Sequence, residues 1–406
     1  MYLAQKFKIK TNLNMKKLFK TISFAILAGF TLASCEGPMG LQGEQGNQGE
    51  QGNQGQQGNQ GQDATCTICH YSTSFKAIET DYDNFSVHAI GTSYTQGSRE
   101  ACAPCHSNKG FLYAANNENG FVVDNAAFLR NPDPISCKTC HADYHVDGYE
   151  WSDLTTVAAV PMEMWGGEKT INFTGNATSS NLCAKCHQPR PVTGSSGVID
   201  YDLLVSNPTD TYTQSTISYR FGIHYSPQAA LYAGIGGIEF GSGYTNTRHL
   251  SVSGGVSCAR CHMPETDGNY TEGHTFIATL KGCTVTCHQR DESALSARMA
   301  PLEVELDGLI SDLADKINAI GSGNDILKLD ADGTYHGYLD IYDASSNPTG
   351  YWRNPANGTP VFPALNNAQV GALINFQLIV RDPGAKAAAH NYPYVKKLLE
   401  NTIAAI

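Results

Sequence analysis

Long apolar runs are scarce in this 406-residue chain. The run from Ile22 to Leu32 falls well short of the ~20 residues that a membrane-spanning helix needs. Basic charge is scarce as well. The chain has 27 Lys and Arg against 38 Asp and Glu, for a net charge of -11. Residues 1–34 hold six of the lysines and no acid, so the remainder carries 21 basic against 38 acidic residues, a net charge of -17. No basic patch offsets that balance, which argues against a nucleic-acid partner. Cysteine outside short motifs is the third scarcity. Twelve of the 13 cysteines fall in six closely spaced pairs, and the thirteenth, Cys35, stands apart near the N-terminus.

Five of the six pairs share one pattern: Cys66-Thr67-Ile68-Cys69-His70, Cys102-Ala103-Pro104-Cys105-His106, Cys137-Lys138-Thr139-Cys140-His141, Cys183-Ala184-Lys185-Cys186-His187 and Cys258-Ala259-Arg260-Cys261-His262. The sixth is one residue longer, Cys283-Thr284-Val285-Thr286-Cys287-His288. Cys-x-x-Cys-His is the attachment sequence of c-type haem. Two thiols three residues apart lie on one side of a helical turn and can add to both vinyl groups of one haem, and the following His faces the iron. Thiols four apart still share a helical face. A zinc ribbon does not require the His, and a disulfide framework would not place one after every second Cys. The motifs therefore predict six covalently bound haem c groups, with His70, His106, His141, His187, His262 and His288 as proximal ligands.

Of the 13 histidines, seven lie outside the motifs. Six low-spin haems need six distal ligands. His249 and His274 each precede the next attachment cysteine by nine residues, and His88 lies shortly before Cys102. His145, one helical turn after His141, cannot reach the far face of the haem that His141 binds, so it is expected to serve a neighbour. His224 lies in Arg220-Phe221-Gly222-Ile223-His224-Tyr225. His336 sits in a turn-rich, acidic segment and is the spare. That segment is similar to a calcium loop but lacks the remaining ligands and the terminal Glu. Met162, Met164 and Met263 could bind iron, but the histidine supply makes them unnecessary. Bis-His ligation lowers the potential relative to Met/His and leaves no open position.

The N-terminal part has a different logic. Met15-Lys16-Lys17-Leu18-Phe19-Lys20 followed by the apolar run reads as a secretory signal, with Met15 fitting a true start better than Met1. Leu32-Ala33-Ser34-Cys35 resembles the bacterial lipoprotein box, which implies cleavage before Cys35, lipidation of its thiol and anchoring at a membrane. From Gly37 to Asp63 the chain runs through nine Gly-first triplets. That is the collagen period, but Pro38 is the lone proline. The stretch reads either as a hydrophilic spacer or as a trimeric stalk. The expected layout is a signal at 1–34, a lipidated Cys and stem at 35–63, a hexahaem domain at 64–290 and a C-terminal helical region at 291–406.

Between the motifs, Gly, Ser, Thr and Asn dominate. The expected fold is a multihaem cytochrome of mainly short α-helices and loops wrapped around stacked haems, with little β and with the porphyrins serving as the core. Longer helices are expected near the C-terminus. Leu302, Leu306, Leu309, Leu313, Ile317 and Ile320 recur at helical spacing up to Gly321. Two further helices are expected, one over Val370 to Val380 and one over about Tyr394 to Ile406. Asn375, Asp382, His390-Asn391, Tyr394 and Leu398-Leu399, together with Cys261-His262-Met263-Pro264, resemble the pattern of multihaem cytochromes related to the ammonia-forming nitrite reductases. The resemblance implies that His390 is a distal ligand returned from the C-terminal helices. The catalytic Cys-x-x-Cys-Lys motif of the reductase does not occur. In haem number, size and histidine supply the chain also resembles hexahaem outer-surface cytochromes of metal-reducing bacteria.

These readings converge on an outer-membrane lipoprotein, facing the periplasm or the cell surface. It would carry electrons to or from redox proteins or extracellular acceptors. An enzyme is the lesser reading. Its form would be a reductase of a nitrogen or sulfur oxyanion, which needs one open iron. A filament- or stalk-forming structural cytochrome is the other alternative, and a homo-oligomer through the stem is compatible with either role.

Overall fold

Among the described residues the four longest helices are α1 (Thr73–Phe85), α2 (Glu292–Ala319), α3 (Asn367–Val380) and α4 (Tyr392–Ala405). The computed structural model describes residues 73–116, 123, 128–142, 153–194, 197–264, 272–289, 291–340, 352 and 362–406. The signal segment, Cys35, the Gly-x-y stem, the motif Cys66–His70 and His145 lie outside the described residues. Among the described residues helices and loops dominate, and the strands form three two-stranded antiparallel ladders. These pair β1 (Val160–Pro161) with β2 (Thr170–Ile171), β3 (Thr193–Gly194) with β4 (Gly197–Val198), and β5 (Leu327–Leu329) with β6 (Tyr335–Leu339). No helix among the described residues is long and apolar enough to cross a membrane.

The C-terminal helices lie close to their expected positions, with longer N-terminal ends. α2 starts at Glu292, where Asp291 Oδ1 accepts from the Ala294 amide at 2.7 Å, and it runs through Pro301. In its first turns only Leu295 and Met299 are large and apolar, so periodicity detects only the part from Leu302 on. α3 starts at a reciprocal cap. Asn366 Oδ1 accepts from the Gln369 amide at 2.8 Å, and Gln369 Oε1 accepts from the Asn366 amide at 2.9 Å. Such a cap satisfies two otherwise orphaned donors. α3 is buried on all sides except at Gln369, the pattern of a helix central to a core.

That core departs from the expectation of a haem-only interior. Met162, Met164, Ile171, Leu204, Leu231, Ile238 and Phe221 from residues 160–240 join Leu306, Leu313, Ile317, Leu373, Phe376, Tyr394 and Leu398 in one buried apolar cluster. Those from residues 160–240 come singly from loops, short strands and short helices, so no local run announces them. Fully burying each large side chain stabilises the fold by about 1.5–3 kcal/mol. The fourth motif contributes Ala184 to this core. A smaller cluster, centred on Ala103, Ala114, Val123 and Leu129, lies beside the second motif.

Candidate functional site

Each described motif sits on a turn of helix. The turns are Ala103–His106, Cys137–Cys140, Ser180–Ala184, Cys258–His262, and Leu280–Cys283 continuing into Thr284–His288. Caps fix where several begin. Ser257 Oγ accepts from the Arg260 amide at 3.3 Å, and Thr279 Oγ1 from the Gly282 amide at 3.2 Å. In the long motif the extra residue is taken up by a π-helical turn, closed by the Gln289 amide on the Thr284 carbonyl at 3.0 Å. Such single wide turns recur at functional sites.

Beyond each described motif His stands a second His. Ring centres are 6.1 Å apart for His88 and His187, 6.0 Å for His106 and His224, and 6.4 Å for His141 and His274. The other two separations are 6.1 Å for His249 and His288 and 6.1 Å for His262 and His390. All five described histidines expected to be distal are therefore opposite a motif His. His336 is not among these pairs. Half-exposed on β6, it contacts Asp330 at 3.1 Å and Asp332 at 3.8 Å. Met162 and Met164 are buried in the core. The common nine-residue spacing of His249 and His274 does not encode a common pairing, since one meets the last motif and the other meets the third.

The separation is informative. Two imidazoles on opposite sides of one metal, at about 2.0–2.1 Å per bond and roughly 1.1 Å from nitrogen to ring centre, have centres ~6.3 Å apart; a tetrahedral angle would give ~5 Å. The five separations match that of the opposed arrangement. Among the described residues, no group of three or more His, Cys, Asp or Glu is placed to hold a metal ion by itself.

Second contacts orient the rings. The Nδ1 atoms of His106, His224 and His262 lie 3.0, 3.1 and 3.1 Å from the carbonyls of Ser93, Tyr225 and Phe276. His187 Nδ1 is 3.2 Å from Gln228 Oε1, and His390 Nδ1 is 2.9 Å from both carboxylate oxygens of Asp382. Each ring then donates from Nδ1 and keeps Nε2 for a ligand. Burial pushes His88 down to about 4, with His187 and His262 adding to the effect. Burial also lowers His106, His187 and His249. His390 differs. Burial pulls it down, but the Asp382 bond and charge outweigh that and hold it above the usual range.

The C-terminal helices position three of these histidines. Gln377 on α3 donates to the Phe221 carbonyl at 2.7 Å and accepts from the Ile223 amide at 3.2 Å. Arg381 donates to the Ile223 carbonyl and lies 4.6 Å over the Tyr225 ring, so both side chains clamp the His224 loop. Asn391, next to His390, accepts from the Thr247 amide at 2.8 Å, and Thr247 Oγ1 in turn accepts from the His249 amide at 3.4 Å. Asn375 bonds both the amide and the carbonyl of Ile238 at 2.8 Å, and Tyr394 accepts from the Gly237 amide at 2.9 Å. The C-terminal residues singled out in the sequence thus tie α3 and α4 to the segment that leads into the fifth motif.

Backbone strain gathers at the same places. Seven described non-glycine residues have positive φ; Ser226, Phe276, Gln289, Ala388 and Asn391 are each within two residues of a paired His. Such conformations persist where surrounding structure enforces them, and they cluster at functional sites. Phe276 (φ 60°) is the plainest case. Its carbonyl bonds His262, and its ring lies 4.9 Å from His88 and 6.3 Å from His274. Nothing in the sequence marks Phe276, Gln228 or Ser93 as ring-orienting residues.

The motifs adjoin one another. Cys105 Sγ is 3.6 Å from the Lys185 carbonyl, and Cys186 Sγ is 4.0 Å from the Pro104 carbonyl. The Cys258 amide donates to Ser180 Oγ at 2.9 Å. Thr139 Oγ1 donates to Asn108 Oδ1 at 2.8 Å, next to the second motif. Pro264, after the fifth motif, packs so closely on Gly282 that a Cβ there would lie 2.4 Å from the proline ring. All ten described cysteines are unbridged thiols. No protein-family model, no curated protein and no solved structure matches the chain.

Proposed function

We propose that this chain is a lipid-anchored hexahaem c-type cytochrome that carries electrons outside the cytoplasm. The observation that carries the reading is the set of five imidazole pairs at 6.0–6.4 Å, each joining one motif His to one His from elsewhere in the chain. Two imidazoles at this separation would hold one haem iron between them. The neighbouring cysteine pairs would tether that haem.

The surroundings fit such a group. Phe85, Val87 and Ile90 beside His88, Tyr225 beside His224, Val252 near His249, Ile277 near His274 and Val285 within the last motif are all exposed large apolar side chains. An apolar ligand face would cover them. The assignments are His187 with His88, His106 with His224, His141 with His274, His288 with His249 and His262 with His390. His70 and His145 remain for the sixth haem. Bound haem supplies one-electron exchange at iron. Each pair would hold one haem iron; contacts at Nδ1 orient His106, His187, His224, His262 and His390, and neighbouring contacts link the third motif through the second and fourth to the fifth and sixth.

With both axial positions taken at five sites, a reductase would have its open iron only at the haem bound by His70. The test is peptide mass mapping of mature protein made in an exporting host with c-type haem maturation. One haem on each of the six motif peptides is expected. Unmodified or disulfide-linked motif cysteines would overturn the reading.

A further inference from the structure

Five of the paired rings have Nδ1 contacts at 2.9–3.2 Å, and four of the partners are neutral: three backbone carbonyls and the Gln228 amide. The fifth is a carboxylate. Asp382 is fully buried, and both of its oxygens lie 2.9 Å from His390 Nδ1. Oδ1 also accepts from the Gly384 amide at 2.9 Å, which fixes the carboxylate in place. The turn is shaped for this ring, since a Cβ on Gly384 would lie 2.4 Å from its Nδ1 and Cε1.

We propose that Asp382 is a positioning and tuning residue that makes the His262/His390 site electron-rich and gives it a lower potential than a neutral Nδ1 partner would. This rests on the haem ligation proposed above. A buried carboxylate that accepts the Nδ1 proton in a charge-assisted bond shifts electron density onto Nε2 and raises ligand basicity. A basic ligand and a nearby negative charge both favour the ferric over the ferrous iron, because one added electron is repelled where little water screens it. The proton stays between Nδ1 and the carboxylate, so no co-reactant is needed. The four neutral partners orient their rings without adding charge, which sets His390 apart from His106, His187, His224 and His262.

The test is a dithionite potentiometric titration of the mature holoprotein, followed by visible absorbance and low-temperature EPR. Asp382→Asn keeps an acceptor of the same shape and removes the charge. It should move one of six reductive steps to higher potential, shift the low-spin signal of one haem and leave six low-spin haems. Asp382→Glu should restore the lower potential at least in part, and Asp382→Ser, small and neutral, should repeat the upward shift. Unchanged potentials in Asn and Ser variants that retain six haems would overturn the proposal. So would loss of low-spin ligation in the Asn and Glu variants alike, which marks a packing role. A wild-type protein without six haems would instead overturn the underlying haem reading, and the haem count separates the two failures.

Discussion

Asn391→Ala should destabilise the protein and disturb two histidines at once. Asn391 is fully buried and left-handed, with φ 58° and ψ 55°. Its side chain accepts from the Thr247 amide at 2.8 Å and donates to the carbonyls of Leu231 at 3.2 Å and Tyr232 at 3.0 Å and to Asn246 Oδ1 at 2.8 Å. Alanine leaves the Thr247 N–H without its acceptor and removes a donor from three oxygens. A buried group left unsatisfied costs about 1–3 kcal/mol, and a left-handed alanine adds roughly 1 kcal/mol. The expected loss is on the order of 4 kcal/mol, a large share of the ~5–15 kcal/mol of a typical domain. Guanidinium unfolding measures it. Asn391→Gly should be less damaging by about 1 kcal/mol, because glycine accepts the backbone conformation. EPR of the folded Ala variant should show altered signals from two haems, those of His390 and His249, since Thr247 caps the turn carrying His249. An Ala variant within about 1 kcal/mol of wild type, or a Gly variant less stable than Ala, would refute the reasoning.

Other substitutions separate ligands from bystanders. His224→Ala should turn one of six haems high-spin, whereas His336→Ala should leave all six low-spin and change stability by less than ~1 kcal/mol, because its ion pairs are half-exposed; EPR and unfolding curves check both. Gly384→Ala should displace the His390 ring and perturb only that haem, read from the loss of one low-spin signal. Arg381→Lys should fail to replace Arg381→Ala's losses at the His224 loop, because three carbonyls, those of Ile223, His336 and Gly337, take separate nitrogens of one planar fork; thermal unfolding and the His224 haem signal test it.

The attachment turns and the histidine inventory were legible because each is written in a few adjacent residues. The capped C-terminal helices were nearly so, since apolar spacing and Gly321 or Pro383 bound them. The pairing of histidines was not legible. His274 meets His141 across a long stretch of chain, and only the tertiary fold brings them together. The core was hidden for the same reason: Met162, Leu204 and Ile238 are isolated in sequence and meet only where α3 gathers them. Nothing in the sequence marks the clamp residues Gln377 and Arg381; their role lies in bonds to the His224 loop that only the tertiary fold makes. Asp382 was visible as part of a pattern, but its bond to His390 depends on the turn that Gly384 allows. The π-helical turn of the last motif was foreshadowed only by its extra residue.

Low-temperature EPR of the oxidised mature protein, integrated against protein concentration, tests the central claim most directly. The account predicts low-spin ferric signals alone, summing to six irons per chain. A high-spin signal from one iron in six would mean an open site and contradict ligation of every haem by two histidines. Absence of haem iron would contradict the account as a whole.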